Sequence, residues 1–469
     1  MSRKMLLAAL GFALFTALPL LTPSDEVKAQ PLPQVTRNPD VPGAIVCALH
    51  ELAKEHMAGI AVMNRFPDPG FVDVRYVARS GTAAITTTAR LDGPGSGYYM
   101  PPDGFKGSVH ISSTSGQPLA AIVNVYASST SEAPAASYRC LPAWESWGLI
   151  FPIESNKQDI RFQNTDDDPT VVTMYLFDAT GGQSQSSPYI RRAKPYQSWA
   201  TNANKVGDRN VEWPGYALAY GDANNVLNGY TTLDSRSVSG PRDVLPAVDW
   251  LNSADQGFLP LPGPRVVGAF TATLTIVNHE SGDQPIDVVF LDPDGHTTTA
   301  ITGTLPSRGI YQRSAVFTPL DPPDLVIVGV DVRAASTYVQ YDGLPERGRS
   351  TTSRSGAWPA SKPTDVITKR GYGFGAPSTK KSKVSVVLHN VGAKTVKVKL
   401  RIFDGDTGKK VQSGTATIAA GGSATVPFKK RARGGNLFAE ISVKGKGSVL
   451  GWLMRTHKGD ADFYTAVPR

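Results

Sequence analysis

The sequence predicts an all-β chain of four tandem β-sandwich domains, and three observations carry that prediction. The chain has 469 residues, too many for one hydrophobic core and enough for three or four of ordinary size. It holds 45 Gly and 36 Pro against 7 Met, the composition of short strands joined by turns. One pattern, a β-branched strand ending in Asn, then a second strand, then a Gly turn, recurs four times.

The landmark pairs are Asn64 and Gly81, Asn164 and Gly181, Asn278 and Gly295, and Asn390 and Gly408. Their spacings are 17, 17, 17 and 18 residues. Between them runs an alternating strand. It is clearest where Val396, Val398, Leu400 and Ile402 share one face and Lys397, Lys399 and Arg401 the other. Asn suits the strand end because its side chain bonds nearby backbone, and Gly supplies positive φ at the second turn. These landmarks read as structural. A closing strand in each copy carries a polar residue, Asn124, Asn228, Gln340 or Arg455, at 60, 64, 62 and 65 residues from the landmark Asn. Successive landmarks lie 100, 114 and 112 residues apart, which fits an immunoglobulin-like sandwich of about 100 residues.

The resulting division is a signal peptide at 1–29 and domains at 30–140, 141–240, 241–356 and 357–469. Arg3 and Lys4 precede an apolar run from Met5 to Leu21, and Val27-Lys28-Ala29 forms a cleavage site. The expected mature chain starts at Gln30 and is secreted, with no transmembrane segment. Cys47 and Cys140 bracket the first domain, and export predicts a disulfide between them, two unrelated thiols being the alternative. Such a cross-link is worth roughly 4–5 kcal/mol on the chain-entropy model. Trp144, Trp147, Trp250 and Trp358 sit beside prolines at the joints. They predict semi-rigid beads in a row if they bury at contacts, and fit equally as core residues.

Leu274-Thr-Ile-Val-Asn278 to Asp292-Pro-Asp-Gly295, and Val384-Ser-Val-Val-Leu-His-Asn390 through Gly421-Gly-Ser-Ala-Thr-Val-Pro-Phe428, carry a resemblance. The chain resembles the immunoglobulin-like, adhesion-related tandem-repeat surface proteins of bacteria. That resemblance implies fold and extracellular location more than any one activity.

Motifs for chemistry are sparse. His50-Glu-Leu-Ala-Lys-Glu-His56 lacks metalloprotease spacing and reads as a short amphipathic helix. Asp292-Pro-Asp294-Gly295 and Asp404-Gly-Asp406-Thr-Gly408 look like calcium loops but occupy a common hairpin turn and lack a distal Glu. Asp166-Asp-Asp168 reads as a solvated loop. The sequence contains no nucleophile elbow, P-loop, dinucleotide fingerprint or Cys-x-x-Cys pair. The expectation is a non-enzymatic protein with no cofactor and no metal.

Charge is the informative functional signal. Residues 361–469 hold 21 Lys and Arg against 6 Asp and Glu, a balance of +15 in a chain whose total is +8, so residues 1–360 carry −7. Lys380, Lys381, Lys383, Lys397, Lys399, Lys429, Lys430, Arg431 and Arg433 are the candidate contacts for an anionic partner. The expected role is a cell-surface structural or adhesive protein, docked by its basic last domain to an anionic envelope polymer, a polysaccharide or a neighbouring subunit; no dedicated nucleic-acid partner is expected. The alternatives are a carbohydrate-binding array, using Tyr98 with Tyr99 or Trp213 with Tyr216 and Tyr220, and a subunit of a surface layer or filament.

Overall fold

The computed structural model describes residues 45–469 apart from 50–56, 83, 103–104, 127–133, 135, 143–147, 156–157, 185–187, 207–212, 222–226, 233–243, 250–255, 263–268, 318–324, 331–334, 344–354, 360, 377–381, 406, 429–436 and 458–459. The described residues belong to one compact unit.

Strands come in four successive sets. The first is β1 (Ile45–Leu49), β2 (Met57–Asn64), β3 (Gly70–Ala78), β4 (Ala84–Leu91), β5 (Gly95–Tyr99), β6 (Gly107–Ser113), β7 (Leu119–Tyr126), β8 (Ala136–Arg139) and β9 (Leu141–Pro142). The second is β10 (Gly148–Ile153), β11 (Asp159–Asn164), β12 (Thr170–Phe177), β13 (Tyr189–Ala193), β14 (Ser198–Asn202), β15 (Gly215–Tyr220), β16 (Leu227–Thr232), β17 (Val244–Pro246) and β18 (Val248–Asp249). The third is β19 (Gln256–Pro260), β20 (Phe270–Asn278), β21 (Gln284–Leu291), β22 (Thr297–Leu305), β23 (Ile310–Phe317), β24 (Leu325–Val330), β25 (Ala335–Gly343) and β26 (Ser355–Pro359). The fourth is β27 (Arg370–Gly373), β28 (Ser382–Asn390), β29 (Val396–Asp404), β30 (Lys410–Ile418), β31 (Ser423–Pro427), β32 (Leu437–Lys444), β33 (Val449–His457), β34 (Asp460–Thr465) and β35 (Val467–Pro468).

Each set forms two antiparallel sheets in one recurring order. The first set gives β4-β3-β6-β1-β9 and β5-β2-β7-β8, and the last gives β30-β29-β32-β27-β35 and β31-β28-β33-β34. We call the sheet holding the first strand of a set its A sheet and the other its B sheet. Their inward faces interleave to form the core. In the first sandwich Ile45, Val74 and Ile111 of the A sheet meet Ile60, Val62 and Val123 of the B sheet. The class is the predicted one, all-β with packed antiparallel sheets. The pairing is not that of a constant-type immunoglobulin domain, where the first two strands share a sheet. Here β1 pairs with β6, and β7 pairs with β2. End strands also overrun the predicted divisions, since β9, β18 and β26 still pair within the sandwich that precedes each boundary.

The Asn landmarks act as expected, by local hydrogen bonding. All four are fully buried. In each copy the side-chain carbonyl accepts the backbone N–H two residues on, and the amide donates to the carbonyl four residues on, at 2.6–2.9 Å. The last three also donate to a second turn, at Lys194 O (3.2 Å), Pro306 O (2.9 Å) and Ala419 O (2.8 Å). One side chain therefore staples two turns, and Asn is needed because it both accepts and donates. The closing-strand polar residues are less equivalent than their spacing predicts. Asn124 and Gln340 lie five residues beyond the partner of the landmark Asn, whereas Asn228 lies one beyond and Arg455 six.

The sandwiches do not form an open row. The outward face of each A sheet packs on the outward face of the next B sheet. Val46 O on the first A sheet accepts from Asn228 Nδ2 on the second B sheet (2.5 Å), and beside this contact the tilted rings of Tyr138, on β8, and Tyr230 lie 5.3 Å apart. Ile150, Phe177, Tyr216 and Leu218 cover Val277 and Ile310. Phe258 and Leu291 cover Val387, Leu450, Trp452 and Met454. The same faces then join the fourth sandwich to the first, where Tyr372, Phe374 and Phe438 bury Ala61, Met63, Ala120 and Ile122. The contacts close a cycle. Along it β8, β17, β26 and β34 also touch in turn and back to β8. Trp144, Trp147 and Trp250, and the side chain of Trp358, lie outside the described residues; among those described, Trp452 is buried at the third joint, and its Nε1 donates to Ser361 Oγ at 2.8 Å.

The Gly landmarks explain how three of these joints are set. Gly81, Gly181, Gly295 and Gly408 have φ of 81°, 90°, 89° and 65°. A Cβ on Gly81 would strike Pro195 O at 1.9 Å, one on Gly181 Ser307 O at 2.0 Å, and one on Gly295 Gly421 O at 2.5 Å. Each turn thus seats on the backbone of the next sandwich. It is held there by one repeated hydrogen bond, from Ser198 N to Arg79 O (3.1 Å), Ile310 N to Ala179 O (2.9 Å) and Ser423 N to Pro293 O (2.7 Å). Gly408 meets nothing within 4 Å among the described residues.

Cys47 and Cys140 form the expected disulfide, closing a separation of 93 residues within the first sandwich. Two outcomes follow from the buried polar groups. Asn278→Ala removes three hydrogen bonds of a buried side chain and is expected to lower unfolding stability by about 3 kcal/mol, measured by urea titration. His389, packed between Phe258 and Ser423 at the third joint, has its pKa pushed down to about 4, chiefly by burial. Its stabilising contribution is full above about pH 6.5, the unfolded value, and is lost as pH falls toward 4, on the order of 3 kcal/mol. Thermal melts from pH 7 to 4 should therefore decline less steeply for His389→Asn than for the parent.

Candidate functional site

Lys397 and Lys399 extend from β29 on the outward face of the fourth A sheet, where strand alternation sends Val396, Val398, Leu400 and Ile402 into the core. Register brings further groups alongside. Lys397 faces Lys444 on β32, Lys399 faces Ser442, Arg401 faces Glu440, and Phe403 faces Phe438. On the far side of β32, Arg370 faces Ser442 and Tyr372 faces Glu440. On β30, Thr417, Thr415 and Ser413 face Lys397, Lys399 and Arg401.

The face is therefore graded. Its aromatic end, Tyr372 with the stacked Phe403 and Phe438 (5.0 Å), belongs to the cluster that covers the first sandwich. Its middle row is an ion-pair network. Glu440 is buried and accepts from Arg401 and from Ser442 Oγ (3.0 Å), with Arg370 Nε 3.7 Å away. Burying a carboxylate costs free energy that these donors offset. Its upper end is cationic and exposed: Lys397, Lys399 and Lys444 take part in no ion pair among the described residues. Two lysines directly opposite each other on neighbouring strands repel and cost stability. Fold stability does not call for that pair.

Of the nine predicted contacts the structure brings Lys397 and Lys399 together. Lys383 is exposed on β28, in the other sheet of the same sandwich. Lys380, Lys381, Lys429, Lys430, Arg431 and Arg433 lie outside the described residues, as does His50–His56. Arg370 and Lys444 join the face through cross-strand register, which spacing along one strand cannot reveal.

The Asp-containing turns behave as turns. Asp178 Oδ1 accepts from Thr180 N and Gly182 N (both 2.8 Å), Asp404 Oδ1 from Thr407 N (2.9 Å), and Asp292 Oδ1 from Asp294 N (3.0 Å) and His296 N (2.8 Å). The bond from His296 N is the leading cause that lowers the Asp292 pKa. Asp292, Asp294 and His296 place possible ligand atoms within 4.8 Å of one another, on the exposed turn that seats against Gly421 and Gly422. The tyrosines named for a sugar-binding row are used elsewhere. Tyr216 is fully buried and stacked on Phe177 at the second joint, and the Tyr98 hydroxyl bonds that of Tyr126 at 2.8 Å.

Replacing Lys444 by Glu should convert the repulsive pair with Lys397 into an attractive one and raise stability by about 0.5 kcal/mol at low salt, the gain shrinking in 1 M salt. Paired urea titrations at both ionic strengths check this. No protein-family model and no curated protein matches this chain.

Proposed function

We propose that this is a secreted, non-enzymatic surface protein that docks to an anionic polymer of the cell envelope or surrounding matrix through the cationic end of its fourth A sheet. The observation that carries this reading is the exposed Lys397–Lys444 register pair with Lys399 beside it, in a segment of local balance +15. Flanking Ser and Thr hydroxyls on β30 and β32 suit a polyhydroxylated anion, so an acidic polysaccharide is the ligand class of choice. Long-range attraction to such a polymer is strong at low salt and short-ranged once the Debye length falls to about 3 Å at 1 M. The −7 balance of residues 1–360 orients the chain, since the remaining surface is repelled by the same polymer.

Co-sedimentation with polygalacturonate beads across a salt series tests the reading. The parent should be retained at 50 mM salt and released by 1 M. Lys397→Glu/Lys399→Glu/Lys444→Glu should lose most retention at 50 mM, and neutral dextran beads should retain neither. Equal retention of parent and triple variant would remove this face from consideration.

A further inference from the structure

We infer that the joint between the fourth and first sandwiches is an exchangeable interface, so that the same contact forms between two copies of this chain as well as within one. The inference is independent of the anionic ligand and rests on different surfaces.

Four heterologous contacts of one kind run round the molecule, each an outward A face on an outward B face. A contact that joins unlike surfaces either closes on itself or continues into another molecule. Three of the four link sandwiches adjacent in sequence. The fourth links the two ends of the described chain, so it can part without unfolding any sandwich.

This joint is also built differently. The other three carry the turn seated on backbone and its repeated hydrogen bond; among the described residues the equivalent glycine, Gly408, has nothing within 4 Å of where a Cβ would sit. In their place stand polar contacts: Asn124 Nδ2 to Gly375 O (2.9 Å), Ser137 Oγ to Tyr464 Oη (3.1 Å), Arg65 Nη1 to Pro468 O (2.9 Å) and Arg139 to Asp365 (3.3 Å). Arg455 is buried, pairs with Asp462 and donates to Pro134 O (3.0 Å), while its Nε and Nη1 have no acceptor among the described residues. Water can satisfy all of these groups when the joint opens, which lowers the cost of opening relative to a purely apolar contact. What cannot remain in water is the apolar patch. Ala61, Met63, Ala120 and Ile122 on one side and Tyr372, Phe374 and Phe438 on the other would be exposed together. Their complement is a second copy in the same opened state.

Phe66 and Arg469 mark the joint from its two sides, with the guanidinium 5.9 Å from the ring centroid, and both are exposed. Full-length Phe66→Cys and full-length Arg469→Cys, mixed after brief exposure to mild urea and treated with a short bis-maleimide, should give covalent dimers between the two variants. The yield should rise several-fold with a tenfold rise in concentration. The double variant should shift from an internal cross-link at low concentration to an intermolecular ladder at high concentration. Mixed variants that stay monomeric, with the double variant closing internally at every concentration, would overturn the inference. So would dimers formed equally well by either single variant alone, because those use some other contact. Light scattering of the unmodified chain supplies a second readout: oligomers after urea treatment support exchange, and a monomer at every concentration rejects it.

Discussion

Two-sided burial of the B sheets is the constraint on which the rest of this molecule depends. β2 and β7 are apolar on both faces, and every described residue of β2 after Met57 is buried. One face packs into its own sandwich and the other needs a cover. An open row would leave one A face and one B face in water, exposing Met63, Ile122, Tyr372, Phe374 and Phe438 together. Each large apolar side chain kept from water contributes roughly 1.5–3 kcal/mol, more in total than the partial loss of hydrogen bonding at Arg455 takes away. The cycle closes because that balance favours it.

The same constraint shapes the proposed docking face. Strand alternation divides β29 into a core side and an outward side, and the joint with the first sandwich takes the aromatic end of that outward side. Lysines remain at the other end, beyond the buried Glu440 that engages Arg401 and Arg370. One sheet thus serves packing and proposed recognition in separate rows, which allows the cationic rows to change without disturbing the joint.

Much of this was legible in the sequence because it depends on local chemistry. Asn64, Asn164, Asn278 and Asn390 each bond a turn within four residues of themselves, so their spacing announced the repeat, while the bonds of the last three to a second turn 28–30 residues on were not legible there. The turn glycines were legible for their positive φ, a backbone property, but not for their contact role, since the atoms they touch lie in the next sandwich. The uninterrupted apolar runs of β2 and β7 were a signal that both faces are covered, which a reading confined to alternation in β29 passes over. The tyrosines considered for sugar binding illustrate the reverse case: composition places aromatics near one another, and only packing shows that Tyr216 and Tyr98 are consumed at joints.

What the sequence by itself determined is therefore the class of each layer: antiparallel strands, turns at Asn and Gly, and a surplus of cations in the fourth. These follow from backbone preference, side-chain period and charge, all of which act over a few residues or are simple sums. Tertiary structure alone decided which strand joins which sheet, that the fourth sandwich returns to the first, and that Lys397 meets Lys444. Those outcomes turn on pairing between segments far apart in the chain, where many registers satisfy the same local pattern and only the simultaneous burial of all the apolar faces selects one.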